Sequence, residues 1–486
     1  MSLFSRQVYS RVERQRRGAA RLALYSSLVL VGLAGWAGAR LVESPTVKAR
    51  EQAWNRVDYK SLPEVQLLSQ YVQIDTSPIT GNEIPGARFL EQRLRAAGIP
   101  STVDLVDDRH ANLWAIIEGE NPDAVVLHSH IDVTSPDMAQ WDFPPFDGLI
   151  DPPWIRGRGT FDMKSIAIAQ LMAMTDLAAE VAKTGRRPKR SVIFLATSSE
   201  EHGSAAGMRR ILDQHPELVR RFAVMITEGG AVEARSLDDI KYWGTEFAQR
   251  REVEVVTHAA TAAPLDRLRD ALGRQNTTKP RLGPEAAAFL GAYGGSRDSV
   301  EIERAVKGAQ HLVEDPAALA AAPALIRDLL VDQAFVATAT ADPEGGFRMP
   351  LTFMLLPDSD WDAVRAELLP AALTAGIQVT GGPAHGLSRG SSLEHPAYRA
   401  MQSVLSEAYP HATIGPHMLS FTLTDSRFVR ALGIPSYGFS PFLILSIDTY
   451  RVDRMNERIG LPGYVSGVSL YRKLVTRLAN DASGWN

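Results

Sequence analysis

Short apolar runs, each closed by polar or turn-forming positions, recur through the first half of the chain. Residues 111–117, 124–127, 192–196 and 222–226 are of this kind. Runs of this length read as strands buried on both faces, as in a parallel sheet. Between and before them, residues 62–73, 86–97, 164–181 and 205–214 carry helical patterns. This alternation predicts an α/β fold with a mixed, largely parallel sheet flanked by helices.

The pattern changes near residue 245. Residues 252–257 alternate polar and apolar, as a half-exposed strand does. Residues 265–272, 301–330 and 361–375 read as helices. Residues 334–340 and 349–356 read as paired antiparallel strands, and 377–380 as a last strand. Helices beside a small antiparallel sheet make an inserted α+β domain over 248–388. The sheet pattern then returns, so 61–247 and 389–486 are expected to form one main domain in two pieces.

The N-terminus follows neither pattern. Arg6, Arg11, Arg14, Arg16, Arg17 and Arg21 face one acid, Glu13, and residues 22–39 are uncharged and mostly apolar. The arginines predict a cytoplasmic segment over 1–21 and an extracytoplasmic body. Two readings stay open. One is an uncleaved transmembrane signal anchor over 22–42, followed by a polar stalk over 43–60. The other is a signal peptide cut after Ala37-Gly38-Ala39, which would give a secreted protein. The long basic segment favours the anchor.

Composition adds three constraints. A length of 486 residues suffices for two full cores. A net charge of −4 gives no footprint for nucleic acid. There is no cysteine, which excludes disulfides and thiolate metal sites and suits an oxidising compartment.

The chemistry lies just after the apolar runs. His130-Ile131-Asp132 follows the first, and Gly157-Arg158-Gly159-Thr160-Phe161-Asp162-Met163-Lys164 comes later. Glu200-Glu201 follows residues 192–196, and Glu228 follows 222–226. Ligands of open α/β sheets gather at the carboxyl ends of strands. One imidazole and several carboxylates converging there suit a pair of divalent cations that activates water. His128 points the same way along its strand and reads as a non-ligand. Lys164 reads as the partner of a local acid.

These motifs resemble the M20 family of zinc peptidases, the aminoacylase and carboxypeptidase group, and most of all its carboxypeptidase S-like branch. Residues 141–148 (Trp-Asp-Phe-Pro-Pro-Phe-Asp-Gly) and Thr424-Asp425-Ser426-Arg427-Phe428 share in the likeness. The resemblance implies that His130, Asp162, Glu201 and Glu228 bind metal, with Asp162 shared by both ions. It also implies that Glu200 is the general base and that Asp132 orients His130. Two ions are expected, zinc first, with Mn²⁺ or Co²⁺ as alternatives. The implied substrates are small peptides or N-acyl amino acids. The insert becomes a lid of the type used for dimerisation, and a homodimer follows only from that likeness. Asp425 and Arg427 are assigned to site architecture or substrate contact.

Ser199 stands where the family commonly has an acid before the glutamate pair, a modest departure, and three further places depart from the family pattern. Asp453 stands where the family has its last ligand histidine, and no histidine follows His417. Asp453 is therefore expected as a metal ligand in a carboxylate-rich centre that tilts toward harder ions. Ala260 stands at the position of the lid histidine that stabilises an oxyanion, with His258 two residues earlier. Residues 352–357 replace an Asp-x-Arg that would grip a substrate carboxylate. A catalytically impaired metal- or ligand-binding relative is thus the alternative to a working hydrolase.

Overall fold

The computed structural model describes residues 57–236, 239–293 and 308–485. The apolar run read as an anchor or signal peptide, its basic flank and most of the expected stalk lie outside the described residues. The described chain divides into two compact units. One comprises residues 57–247, 391–417 and 424–485. The other comprises Ala248–Gly390 and Met418–Leu423.

The first unit is built on a nine-stranded mixed sheet. Its strands are β1 (Ser101–Leu105), β2 (Ala111–Ile117), β3 (Asn121–His130), β6 (Arg190–Thr197), β7 (Phe222–Thr227), β8 (Ala231–Ala234), β9 (Ile240–Gln249), β15 (Ile414–Leu419) and β16 (Ser436–Gly438). The order is β1-β2-β6-β3-β7-β16-β9-β15, with β8 beside β9. At the centre, β6, β3, β7 and β16 run parallel. The outer pairs β1–β2 and β2–β6 are antiparallel. Every residue of β6 is buried, which is why its sequence is a continuous apolar run rather than an alternating one. A small second sheet pairs β4 (Leu149–Asp151), β5 (Trp154–Arg156) and β17 (Arg458–Gly460).

Among the helices are α1 (Pro63–Val72), α2 (Glu83–Ala96), α3 (Lys164–Thr184), α4 (Met208–Gln214), α5 (Ala262–Arg274), α6 (Trp361–Leu368), α7 (Pro396–Ala408) and α8 (Leu461–Ala479). Met208 and Ile211 of α4 pack with Val126, Ile193, Leu195 and Met225 of the central strands. Helix α3 has the length and composition of a membrane span. It is instead a core helix, and Gln170 in its second turn donates to the His128 carbonyl (2.8 Å) and to the Tyr471 hydroxyl of α8 (3.1 Å).

The second unit is a five-stranded antiparallel sheet: β10 (Arg251–Ala259), β11 (Gln333–Val336), β12 (Thr340–Ala341), β13 (Phe347–Leu355) and β14 (Gln378–Pro383). Leu265, Leu268 and Leu272, spaced for one face of α5, are buried against Val253, Val255, Leu351 and Phe353. Two helix expectations are corrected here. In the described part of 301–330 the chain makes three short helices, Ala309–Glu314, Pro316–Ala321 and Ala324–Arg327. Pro316 and Pro323 lack the N–H a continuous helix would need. Likewise α6 ends at Leu368 rather than 375, two residues before Pro370.

Candidate metal centre

Three of the candidate ligands leave neighbouring parallel strands. His130 is the last residue of β3, Glu228 directly follows β7, and Glu200-Glu201 follow β6 after Ser198-Ser199. The strand order β6-β3-β7 sets them side by side at the carboxyl edge. Asp162 arrives from the loop after β5. Gly157 (φ +148°) and Gly159 (φ +81°) take backbone angles there that a side chain would resist. Helix α3 then begins at Lys164. The Lys164 ammonium is buried and donates to the carbonyls of Tyr71 (3.1 Å) and Ile74 (2.7 Å), rather than forming the expected bond to an acid.

Two ligand triads result. His130, Asp162 and Glu228 place one donor atom each within 4.8 Å of one another, and so do Asp162, Glu201 and Asp453. Asp162 belongs to both. Glu200 belongs to neither, and its carboxylate lies 3.6 Å from the Arg427 guanidinium. Asp453 sits in the left-handed region (φ +56°), where aspartate is better tolerated than most residues, and accepts a 3.0 Å bond from the Thr134 hydroxyl. Arg158 binds Glu457 at 2.6 Å, and Glu457 also accepts the backbone N–H of Phe161 (2.8 Å). This pair ties the Asp162 loop to the Asp453 loop.

The surrounding groups fix orientation. His130 Nδ1 donates to the backbone carbonyl of Asp132 (2.8 Å), which turns Nε2 toward Asp162 (3.0 Å) and Glu228 (3.6 Å). The Asp132 carboxylate accepts the backbone N–H groups of Glu200 (2.9 Å) and Glu201 (3.0 Å). Asp132 thus holds both the imidazole and the turn that carries the two glutamates. Ser199 opens that turn at φ +52°, which lets adjacent glutamates serve one site. His128 is held between the hydroxyls of Thr197 and Thr227, 2.8 Å from each, and is not in either triad. Asp425 is fully buried and bonded to the Ser204 hydroxyl.

Glu83 is a buried acid that the sequence reading passes over. It lies in the first turn of α2, where an acid is ordinary, and no local signal distinguishes it. Its carboxyl group is buried, and Asp132, Ser198 and Ser199 are among the groups that perturb it, which places it beside the glutamate turn.

Charge tests whether cations fit. Burial, then the charges of Glu228 and Asp453, push the Asp162 carboxyl well above its usual range. Burial also raises Glu228. Burial and the Asp425 charge push Glu200 up to about 8, while burial and Asp132 push Glu83 up to about 9. Burial opposes a charge on His130, but Glu228 and the bonds to Asp132 and Asp162 outweigh it and draw a proton onto the ring. So many buried carboxylates need compensating positive charge. Divalent cations supply it and take the Nε2 lone pair in place of that proton, so the donor set fits them.

A mixed α/β sheet with histidine and carboxylate donors converging at its carboxyl edge is the architecture of a metallohydrolase. The model of peptidase family M20/M25/M40 matches residues 126–477, and the chain belongs to that family. It is 25% identical over 434 residues to aminoacylase-1A of Rattus norvegicus, covering 86% of this chain and 96% of that protein. Human aminoacylase-1 is also 25% identical, over 426 residues, with the same coverage of both chains. In structure it is similar to an M20 family metallo-carboxypeptidase from Sulfolobus solfataricus, with TM-score 0.62 and 17% identity over 85% of this chain and 99% of that one. Human carnosine dipeptidase 1 gives a TM-score of 0.60 at 13% identity, over 89% and 99%. The chain is thus a hydrolase of the M20 peptidase and aminoacylase type.

Proposed function

We propose that this protein hydrolyses the amide bond of small peptides or N-acyl amino acids, with Glu200 as the proton carrier beside a two-cation centre. One observation carries the reading: two donor triads meet at Asp162, while Glu200 stands next to them and joins neither. The cations, when bound, supply Lewis acidity that makes a water acidic and polarises the scissile carbonyl. Glu200 accepts a proton from the attacking water and hands it to the leaving nitrogen, so amide and water become carboxylate and amine. Burial and the Asp425 charge lift its basicity toward neutrality, where a group can both take and give a proton. Arg427, 3.6 Å away, steadies the ionised form. Aminoacylases and a dipeptidase among the relatives support the substrate class. The alternative, a metal-binding protein with impaired turnover, draws on Ala260 and on His258. The His258 ring is engaged by Asp342 (3.0 Å) and Thr380 (3.4 Å) within the second unit.

We place the catalytic part outside the cytoplasm, on an anchor over residues 22–42. The arginine-rich segment before the apolar run supports this placement.

Turnover on a panel of dipeptides and N-acyl amino acids tests the reading. Glu200→Gln should lower kcat by about 10²–10⁴ and leave the metal content of the purified chain unchanged. Bound metal with no turnover on any member of the panel would establish the impaired alternative instead.

A further inference from the structure

Asp162 divides the donors unequally. Among the described residues, one triad holds an imidazole, that of His130, and the other is made of Asp162, Glu201 and Asp453, all carboxylates. We infer that the two positions differ in kind: the His130 position takes a zinc-class ion, and the Asp453 position, lacking nitrogen, discriminates far less against a hard ion such as Mn²⁺. This rests on the two-cation reading above and adds which ion sits where.

The donor chemistry argues for it directly. Imidazole suits zinc, whereas sites of carboxylate and water suit Mn²⁺ and Mg²⁺. Asp453 is positioned for coordination. Its carboxylate reaches the other two donors. The Arg158 guanidinium spends its short contact on Glu457 at 2.6 Å and stands 3.8 Å from Asp453, too far for a hydrogen bond. The Thr134 hydroxyl fixes the carboxylate from the other side at 3.0 Å.

Charge points the same way. Asp162, Glu201, Glu228 and Asp453 carry four negative charges when ionised, which balance two divalent cations. An imidazole at position 453 would leave one positive charge over. The Asp453 side is therefore held more by charge than by covalent donation, and the advantage zinc draws from nitrogen is missing there. The backbone does not demand aspartate, because histidine also tolerates the left-handed region found at φ +56°. Asp453→His is thus a clean exchange of donor type.

The test uses the full-length chain, stripped with a chelator and dialysed against Zn²⁺ and Mn²⁺ at equal free concentrations. Elemental analysis gives the bound ratio, and electron paramagnetic resonance reports the bound Mn²⁺. The wild type should retain both metals. Asp453→His should lower its Mn:Zn ratio at least about tenfold, the low end of what even outer-shell changes do to metal affinity. Asp453→Asn should lose the second ion and keep the first. The same Mn:Zn ratio in wild type and Asp453→His overturns the inference and leaves the hydrolase reading standing. No retained metal in the wild type overturns both. Should Asp453→His fail to fold, a wild type that takes two zinc ions and excludes Mn²⁺ overturns the inference by itself.

Discussion

Asp132 acts through its carbonyl on one ligand and through its carboxylate on two glutamates. Asparagine keeps the carbonyl but presents one acceptor oxygen and an NH₂ group to two backbone donors. Asp132→Asn should therefore leave His130 oriented and loosen the turn that carries Glu200 and Glu201. We expect kcat to fall about 10–100-fold with a smaller change in KM, read from steady-state kinetics on the best panel substrate. An unchanged kcat would show that the turn holds itself. His130, Glu200, Glu201 and Glu228 are legible in the sequence because each follows an apolar run, and sheet topology turns that order into proximity. Glu83 is not legible, since its burial and its nearness to Asp132 arise only in the folded chain. Asp453 is legible only by register against a family pattern. Its reach to Asp162 and Glu201 depends on a left-handed backbone that local sequence does not announce.

Elements with a single dominant period are the ones the sequence shows. Strands β3, β6 and β7 each carry an unbroken apolar run at their centre and α5 has a clean apolar face, so both kinds are foreseen. At 301–330 and 361–375 helical apolar spacing runs on past Pro316, Pro323 and Pro370, which restrict the backbone whatever the spacing, so the helices are shorter than that spacing predicts. At the outer edge of the main sheet, β15 carries His417, and Gly244 of β9 leaves it room: a Cβ at 244 would stand 2.7 Å from the His417 Cβ. Burial pulls the His417 imidazole down to about 4 from its ordinary 6.5. The unfolded chain takes up that proton as pH falls through 6.5, and the folded chain does so only near 4. Its contribution is full above the unfolded value, drains away as pH falls toward the folded one, and amounts to roughly 3 kcal/mol at most. Urea midpoints at about pH 7.5 and about pH 5 should differ less in His417→Gln than in the wild type. Equal differences in the two proteins would remove His417 from the pH response.

For the whole molecule, the basic segment and apolar run at the N-terminus make a prediction about location. The full-length chain, expressed in cells, should stay with the membrane through an alkaline carbonate wash, and deletion of residues 1–42 should release it. A mature N-terminus just after Ala39 would replace the anchor with a cleaved signal. The division into two units has its own consequence. The described chain passes between them at 247/248, 390/391, 417/418 and 423/424. The second unit is therefore no cassette: joining residue 247 to 391 would still leave its Met418–Leu423 segment in the remaining chain. Neither unit can be inherited, swapped between relatives or expressed alone by a single cut. Any change to the second unit is therefore carried by a chain that must also complete the metal-binding unit on either side of it in sequence.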